Sequence, residues 1–334
     1  MAYETGTATG PEDLLDKLFT FAATNGWTIN EATTGSQGHM TRGTISLGFY
    51  YTSSILKLYP STGYTSTSPV TLPDVQAGVA YNDTLATTNT GITVNEMTGP
   101  YDAYYFFESD TYMHVVVLTN NNRYRHFGCG LMVQAGSFNG GAYFTGHDHS
   151  QNASYIGNPD SGEHMQPYSG YTPNTGTYQG MWVHGRKATS PETALSGAPH
   201  ADTKWYAARN PNYTDGDGVE VGELQISGTM ANRSASVLSV GPSLFNGFTP
   251  LVPINLFIND DTPTSPTTPE QIYPLGSVPD VRCVNIQGFT DGQQVTIGSD
   301  IWFVFPVSKR GIDVTSPLEE RTGNHGLAYK KVVA

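Results

Sequence analysis

The chain has 334 residues and few charges: Lys and Arg number 16 against 29 Asp and Glu, which gives a formal net charge of −13 at pH 7. Charged residues make up 13% of the chain, roughly half of the share that is usual in soluble domains. This balance excludes a protein that wraps nucleic acid, because phosphate binding depends on clustered Lys and Arg. The 37 Gly, 21 Pro and 20 Tyr are typical of a mainly β chain that turns often.

One helix is predicted, from Pro11 to Asn25. Its apolar residues Leu14, Leu15 and Leu18 recur at helical spacing. A proline in the first turn, acidic residues just after it and a glycine past the last turn fit the usual helix boundaries. We expect the apolar side of this helix to cover a sheet that begins near Trp27.

Several later segments predict β-strands. Residues 44–49 alternate polar and apolar side chains, the pattern of a half-buried strand. Residues 113–118 and 123–127 flank three consecutive asparagines and predict a hairpin, since Asn tolerates left-handed backbone. Further strand candidates are residues 219–226, 252–258, 281–286 and 301–307. The spacing predicts a mainly β fold, an antiparallel sandwich or barrel-like assembly with long loops and one N-terminal helix.

Two polar stretches carry little strand pattern, residues 61–73 and 150–212, and we expect neighbouring subunits to order the second. Residues 259–271 contain three prolines, which disfavour helix and central strand and predict a linker or a long loop. The expected organisation is a main β-rich domain over residues 1–258, which includes the helix, and a C-terminal β segment over residues 272–334. That segment either stands apart or packs on the same domain.

The sequence gives no signal for a membrane or for secretion. No window approaches the roughly 18 consecutive apolar residues of a membrane-spanning helix, and the opening residues 1–4 lack the basic and apolar parts of a signal peptide. We therefore expect assembly in the cytoplasm and no contact with a membrane.

Cys129 and Cys283 have the spacing of neither a zinc site nor a disulfide framework, so we expect two buried thiols.

Two motifs are weak candidates for an ion site. His147 and His149 stand two residues apart and share a face if the segment is a strand, but the sequence nominates no third ligand. Asp215 and Asp217 alternate with glycines, as in calcium loops, but the spacing departs from the twelve-residue calcium motif. We expect a polar loop or interface patch at the histidines, an ordinary turn at the aspartates, and no metal or other cofactor.

No motif indicates catalysis. The chain has no Gly-x-Ser-x-Gly elbow, and neither cysteine stands in the context of a nucleophile. A facing pair of carboxylates, which glycoside hydrolysis requires, is not recognisable without a fold. We expect no enzymatic activity.

Aromatic residues at 101–107 and at 168, 171 and 178 suit sugar stacking as well as β cores and interfaces. A carbohydrate-binding receptor module or a depolymerase is therefore an alternative, with weak contacts to host surface glycans.

Stretches at both ends and in the centre resemble a known group of proteins. They are residues 10–18 (GPEDLLDKL), 25–28 (NGWT), 112–117 (YMHVVV), 124–130 (YRHFGCG), 140–143 (GGAY) and 323–330 (GNHGLAYK). These stretches are similar to uncharacterised structural proteins of tailed bacteriophages. The resemblance implies a subunit of the virion, present in multiple copies in the tail or baseplate. It carries no catalytic or metal-binding residues, and capsid decoration or the neck is an alternative position.

A protein of this kind acts through contacts with copies of itself and with other virion proteins. We expect these contacts at the predicted hairpin, in the tyrosine-rich loop and in the C-terminal region, which is basic in an otherwise acidic chain. The candidate interface residues are Arg123, Tyr124, Arg125, His126, Tyr168, Tyr171, Lys309, Arg310, Lys330 and Lys331. The expected locations are the virion and, during assembly, the host cytoplasm.

Overall fold

The computed structural model describes residues 2–34, 36–60, 64, 92–94, 96–136, 140–146, 167–168, 180–186, 203–207, 223–226, 249–260, 271–309 and 325–331. In chain order the elements are β1 (Ala2–Ala8), α1 (Pro11–Thr24), β2 (Thr28–Thr34), β3 (Gln37–Arg42), β4 (Ile45–Tyr51), β5 (Leu56–Pro60), β6 (Ile92–Val94), β7 (Tyr101–Ser109), β8 (Tyr112–Thr119), β9 (Tyr124–Leu131), β10 (Val133–Gln134), β11 (Ala142–Gly146), β12 (Met181–Arg186), β13 (Thr203–Ala207), β14 (Glu223–Ile226), β15 (Val252–Asp260), β16 (Gln271–Asn285), β17 (Gln293–Ile297), β18 (Asp300–Pro306) and β19 (His325–Lys331).

These strands form three antiparallel sheets. The central sheet has the order β1-β7-β8-β9-β11-β12-β13. The C-terminal sheet has the order β14-β15-β16-β19-β18-β17, with β10 also paired to β16, and the helix-side sheet has the order β2-β3-β4-β5-β6. Within the described residues no sheet closes into a barrel. The prediction of a mainly β, antiparallel fold with one N-terminal helix is confirmed.

Helix α1 begins at Pro11, as the sequence predicts, and ends at Thr24, one residue before the predicted Asn25. Pro11 occupies the first turn, where its missing N–H costs no hydrogen bond. The Asp13 carboxylate accepts hydrogen bonds from the Thr9 N–H and from Lys17 Nζ, each at 2.8 Å, and a carboxylate near a helix N-terminus is stabilising. The buried residues of the helix include its three leucines. In the described part of the chain, no helix combines the length and hydrophobicity that a membrane crossing requires.

The central sheet is covered on both faces. Along β8, Met113, Val115 and Val117 belong to a core shared with α1 and the helix-side sheet. The alternate residues Tyr112 and Val116 belong to a second core, which the C-terminal sheet completes. Because side chains alternate across a strand, β8 carries buried apolar side chains on both of its faces. The described elements therefore stack in three layers.

The segment at residues 259–271 connects neighbouring strands. Asp260 of β15 pairs with Gln271 of β16, and the ladder continues to Val252 opposite Cys283. Residues 261–270 themselves lie outside the described residues. The strands on either side of this segment, β15 and β16, belong to one sheet.

The hairpin is confirmed: β8 and β9 pair from Tyr112 opposite Gly130 to Leu118 opposite Tyr124. The strands expected near residues 44–49, 252–258, 281–286 and 301–307 are also present, as β4, β15, part of β16 and β18. For the candidate at 219–226, the structure describes the strand Glu223–Ile226 only. The sequence pattern did not indicate β1, β3, β5 or β7, although each is a full member of a sheet.

Replacing Leu18 by alanine tests the packing of α1. Leu18 is fully buried in the core between the helix and two sheets. We expect L18A to lower the free energy of unfolding by about 2–5 kcal/mol, because it removes buried apolar surface and leaves a cavity. Chemical denaturation measures the loss. The matched control is T20A on the exposed side of the same helix, for which we expect a change within about 0.5 kcal/mol.

Candidate functional site

A group of buried titratable side chains lies between the central and C-terminal sheets. His114 of β8 is fully buried there. Its Nε2 lies 3.3 Å from the carbonyl oxygen of Pro279, and its Nδ1 lies 2.9 Å from the hydroxyl of Tyr168. Because a carbonyl can only accept, Nε2 carries the proton and Nδ1 accepts the hydroxyl of Tyr168. In this tautomer His114, on the central sheet, donates a hydrogen bond to the C-terminal sheet.

His126 of β9 repeats this arrangement. Its Nε2 lies 2.9 Å from the carbonyl oxygen of Pro306, and its Nδ1 lies 2.9 Å from the hydroxyl of Tyr329. The rings of His126 and Tyr329 stack, with centroids 5.7 Å apart and an interplanar angle of 12°. The same reasoning assigns the proton to Nε2. The two histidines therefore bind two different strands of the C-terminal sheet.

Tyr168 links the two halves of this network. Its hydroxyl bonds to His114 and also interacts with the hydroxyl of Tyr329. Its own N–H donates to Thr145 Oγ1 at 2.7 Å, and that hydroxyl donates to the carbonyl of Gly180 at 2.6 Å. A residue that is distant in sequence from His114 thereby completes the hydrogen bonds of that histidine. We call the group of His114, His126, Tyr168 and Tyr329 the interlayer network.

Burial determines the protonation of this network. It lowers the pKa of His114 to about 3 and of His126 to about 4, because a charged imidazole loses its hydration there. It raises the pKa of the Tyr168 hydroxyl well above its ordinary value. Both histidines are therefore neutral at pH 7. Their complete burial denies a substrate access, so this network serves to join the sheets.

The predicted hairpin is enclosed within the same structure. Tyr124, Arg125 and His126 are buried. Arg125 lies against Glu96, and its Nη1 donates to Ser308 Oγ at 2.9 Å. Arg123 binds both carboxylate oxygens of Glu96 at 2.7 Å. Sequence reasoning placed these residues, together with Tyr168, at a subunit interface. In the structure Tyr124, Arg125, His126 and Tyr168 are buried within the chain. The first three lie on β9, which is buried on both faces.

Of the interface candidates in the C-terminal region, the structure describes Lys309, Lys330 and Lys331. Lys330 Nζ lies 3.0 Å from Asp300 Oδ1, and Lys331 Nζ lies 4.8 Å from the ring centroid of Tyr3. Both lysines are half-buried at the end of β19, and Lys309 follows β18 in a similar environment. These three remain candidates for contacts with an acidic neighbour. Tyr171 and Arg310 lie outside the described residues.

The candidate ion ligands His147, His149, Asp215 and Asp217 also lie outside the described residues. Within the described ranges, no group of three or more His, Cys, Asp or Glu side chains is placed to hold a metal ion. Cys129 and Cys283 are both free and buried, as the sequence predicts, and burial raises the pKa of each thiol.

The aromatic residues considered for sugar stacking have core positions. Tyr101, Tyr104, Phe106 and Phe107 of β7 are buried between the layers. Tyr105 is half-buried, with its ring 4.7 Å from that of Phe305. Stacking on a sugar requires an open ring face, which the four buried residues do not offer.

Sequence reasoning missed the interlayer network because its members come together only in the fold.

Comparison of the chain with protein-family models and with curated proteins finds no match.

The interlayer network predicts how stability depends on pH. Each histidine has a lower pKa in the folded chain than the ordinary 6.5, so protons bind the unfolded chain preferentially below that pH. Their contribution is present above about pH 6.5 and is lost as the pH falls towards the folded values. Between about pH 7.5 and about pH 5, we expect the two histidines to reduce the free energy of unfolding by about 4 kcal/mol.

Urea denaturation at several pH values measures this loss, with single and double glutamine variants for comparison. H114Q and H126Q should each remove about half of the histidine contribution, and the double variant should remove nearly all of it. A double variant that keeps the pH dependence of the parent chain would show that other groups cause it.

Removing one hydroxyl tests the hydrogen bonds of the network separately from its packing. We expect Y168F to lower the free energy of unfolding by about 1–3 kcal/mol, because His114 Nδ1 would then be buried without its donor. Y105F is the matched control, since Tyr105 packs on the same aromatic cluster but does not bond to either histidine. Equal losses in the two variants, measured by thermal or chemical denaturation, would contradict the assigned role of Tyr168.

Proposed function

We propose that this chain is a virion structural protein of a tailed bacteriophage, located in the tail or baseplate, that acts by binding copies of itself and other virion proteins. The resemblance of both ends and the centre of the sequence to such proteins supports this function. The low content of charged residues supports it as well, because charged residues are depleted from the cores of protein interfaces.

The observation that carries the proposal is the terminal strand β17 of the C-terminal sheet. Gln293–Ile297 pairs with β18 on one side, and no other described strand pairs with its second edge. The strand contains no charged residue and no proline, and its register with β18 runs without a bulge. Natural sheets protect their exposed edges with charged residues, prolines or bulges. Their absence from β17 favours pairing with a strand of another subunit.

The side chains of β17 fit this use. Val295 and Ile297 pack against the outer apolar cluster of the C-terminal sheet, which contains Trp302 and Val304. Gln294 and Thr296 are exposed on the other face. A strand added to β17 would extend the backbone ladder and cover more of the apolar side, so that main-chain hydrogen bonds and apolar burial both contribute to binding.

The alternative positions on the particle are the capsid surface and the neck, which would use the same contacts. A carbohydrate-binding receptor module or depolymerase has less support, because most of the described aromatic candidates for sugar contact are buried. In the proposed role the chain needs no cofactor, no membrane and no nucleic acid, and it passes from the host cytoplasm into the virion during assembly.

Electron cryo-microscopy of the intact particle tests the location. We expect density for this chain at the end of the tail, in a copy number set by tail symmetry. Many copies over the head would identify a decoration protein instead. Absence of the chain from purified particles, established by mass spectrometry, would overturn the virion proposal.

Placing a charge on β17 tests the proposed contact. We expect T296K to reduce the assembly of the chain into particles by about tenfold or more, because an edge lysine opposes strand addition. Its melting temperature should remain close to that of the parent, since Thr296 is exposed. Q287K is the matched control: it adds the same charge at an exposed turn beside the same sheet. Quantitative mass spectrometry of purified particles compares the two. Equal incorporation would exclude β17 as the contact.

A further inference from the structure

The outer edge of β17, which no described strand pairs with, presents backbone groups whose direction follows from the hairpin with β18. Ile297 pairs with Asp300 across a two-residue turn, in which Gly298 has a φ of 63°. In such a hairpin the residues that flank the turn exchange both backbone hydrogen bonds, and bonded pairs then alternate along the strands. The odd-numbered residues of β17 therefore direct their N–H and carbonyl groups to β18, whereas Gln294 and Thr296 direct theirs to the outer edge.

Among the described terminal strands of the three sheets, β17 is the one suited to pair with a second copy of this chain. β1 contains Glu4 and a register shift, and β2 contains Glu31 and two such shifts. β13 contains Lys204, β14 contains Glu223, and β6 has only three residues. Charges, bulges and short length oppose strand addition. The described edge that a second copy offers without these obstacles is its own β17.

The backbone selects one register for this pairing. If Gln294 lies opposite Thr296 of the second copy, each of the two symmetry-related residue pairs forms two hydrogen bonds, and all of the outward groups of the strand are used. Gln294 opposite itself would instead require the N–H of Gly292, which already donates to the Val304 carbonyl at 2.8 Å. Thr296 opposite itself would require Gly298, where the chain has left the strand. Each alternative loses half of the bonds.

We propose that two copies of this chain associate through β17, which pairs antiparallel with its counterpart about a two-fold axis at Val295. In the selected register Val295 lies opposite itself as a non-hydrogen-bonded pair, the position where side chains approach most closely. The pairing joins two C-terminal sheets into one continuous sheet and brings their outer apolar clusters together at the axis. This inference rests on the proposed function, because it names the partner that β17 binds.

The arrangement keeps like charges apart. The charged residues nearest to β17 in the sequence are Asp291 and Asp300. In the selected register Asp291 lies at the level of Ser299 of the second copy, so the two Asp291 carboxylates stand at opposite ends of the paired strands. Asp300 belongs to β18, one strand away from the contact, and its Oδ1 lies 3.0 Å from Lys330 Nζ. Electrostatic repulsion therefore does not oppose the pairing.

The size of the contact determines how it must be measured. β17 has five residues, and one short strand buries less than the roughly 800 Å² per partner of a stable interface. We therefore expect a weak association in dilute solution. Many copies held in one particle would strengthen it, because they raise the effective concentration of the strand. A covalent trap detects such an association in the purified full chain.

A cysteine at the two-fold axis tests the register. V295C should form a disulfide between two copies under mild oxidation, because residues of a non-hydrogen-bonded pair have Cα atoms about 4.5 Å apart, within the range of a disulfide. T296C is the matched control. The two copies of this residue would be displaced by two residues along the strands, about 8 Å apart between Cα atoms and beyond that range.

We expect V295C to yield about tenfold or more covalent dimer than T296C, although Thr296 is the more exposed residue. Intact mass spectrometry without reductant measures the yield. The parent chain gives the background from Cys129 and Cys283, which are buried, and circular dichroism confirms that each variant is folded. Equal yields from V295C and T296C would overturn the proposal.

Sedimentation equilibrium gives a second test that needs no new cysteine. T296K should weaken self-association by about tenfold or more, because an edge lysine opposes strand addition, whereas Q287K should leave it within about twofold of the parent. A parent chain that stays monomeric at its highest soluble concentration, together with equal disulfide yields, would contradict pairing between copies.

The two proposals can fail separately. If V295C cross-links selectively but purified particles lack the chain, pairing through β17 stands and the virion function falls. If T296K reduces incorporation into particles but V295C and T296C give equal yields, the virion function stands, self-pairing is overturned, and β17 binds a different virion protein.

Discussion

The central sheet is apolar on both faces, and this double burial is the constraint on which the other two layers depend. One face requires α1 and the helix-side sheet, and the other requires the C-terminal sheet. A sheet with a single apolar face needs only one covering layer. Here the loss of either cover would expose large aromatic and aliphatic side chains, such as Phe106 on one face and Phe107 on the other.

Double burial also determines how polar groups are used. A polar side chain between two sheets costs free energy unless it is hydrogen-bonded. The interlayer network meets this requirement with one imidazole tautomer and two backbone carbonyls. One of these carbonyls belongs to Pro279 of β16. On this strand Arg282 pairs with Pro253 of β15, whereas Ser277 pairs with Asn255. The register of the two strands therefore shifts around Pro279. The irregularity in the strand thus places an acceptor opposite His114.

The surface feature on which the proposed function rests lies at the margin of this stack. β17 is a terminal strand without protective charge. Its location follows from the layering, since groups committed to the interior cannot reach a partner. The same layering explains why the hairpin residues Tyr124, Arg125 and His126 are buried within the chain.

The sequence by itself determined the helix that begins at Pro11, the β8–β9 hairpin and the two buried thiols. In each case the signal is local: helical spacing, consecutive asparagines, and cysteines without a metal or disulfide pattern. β7 was not recognisable, because burial on both faces removes the alternation that marks a half-buried strand. The tertiary structure decided which polar residues meet. His126 and Tyr329 are far apart along the chain, as are His114 and Tyr168. Only strand order and register bring such side chains within hydrogen-bonding distance.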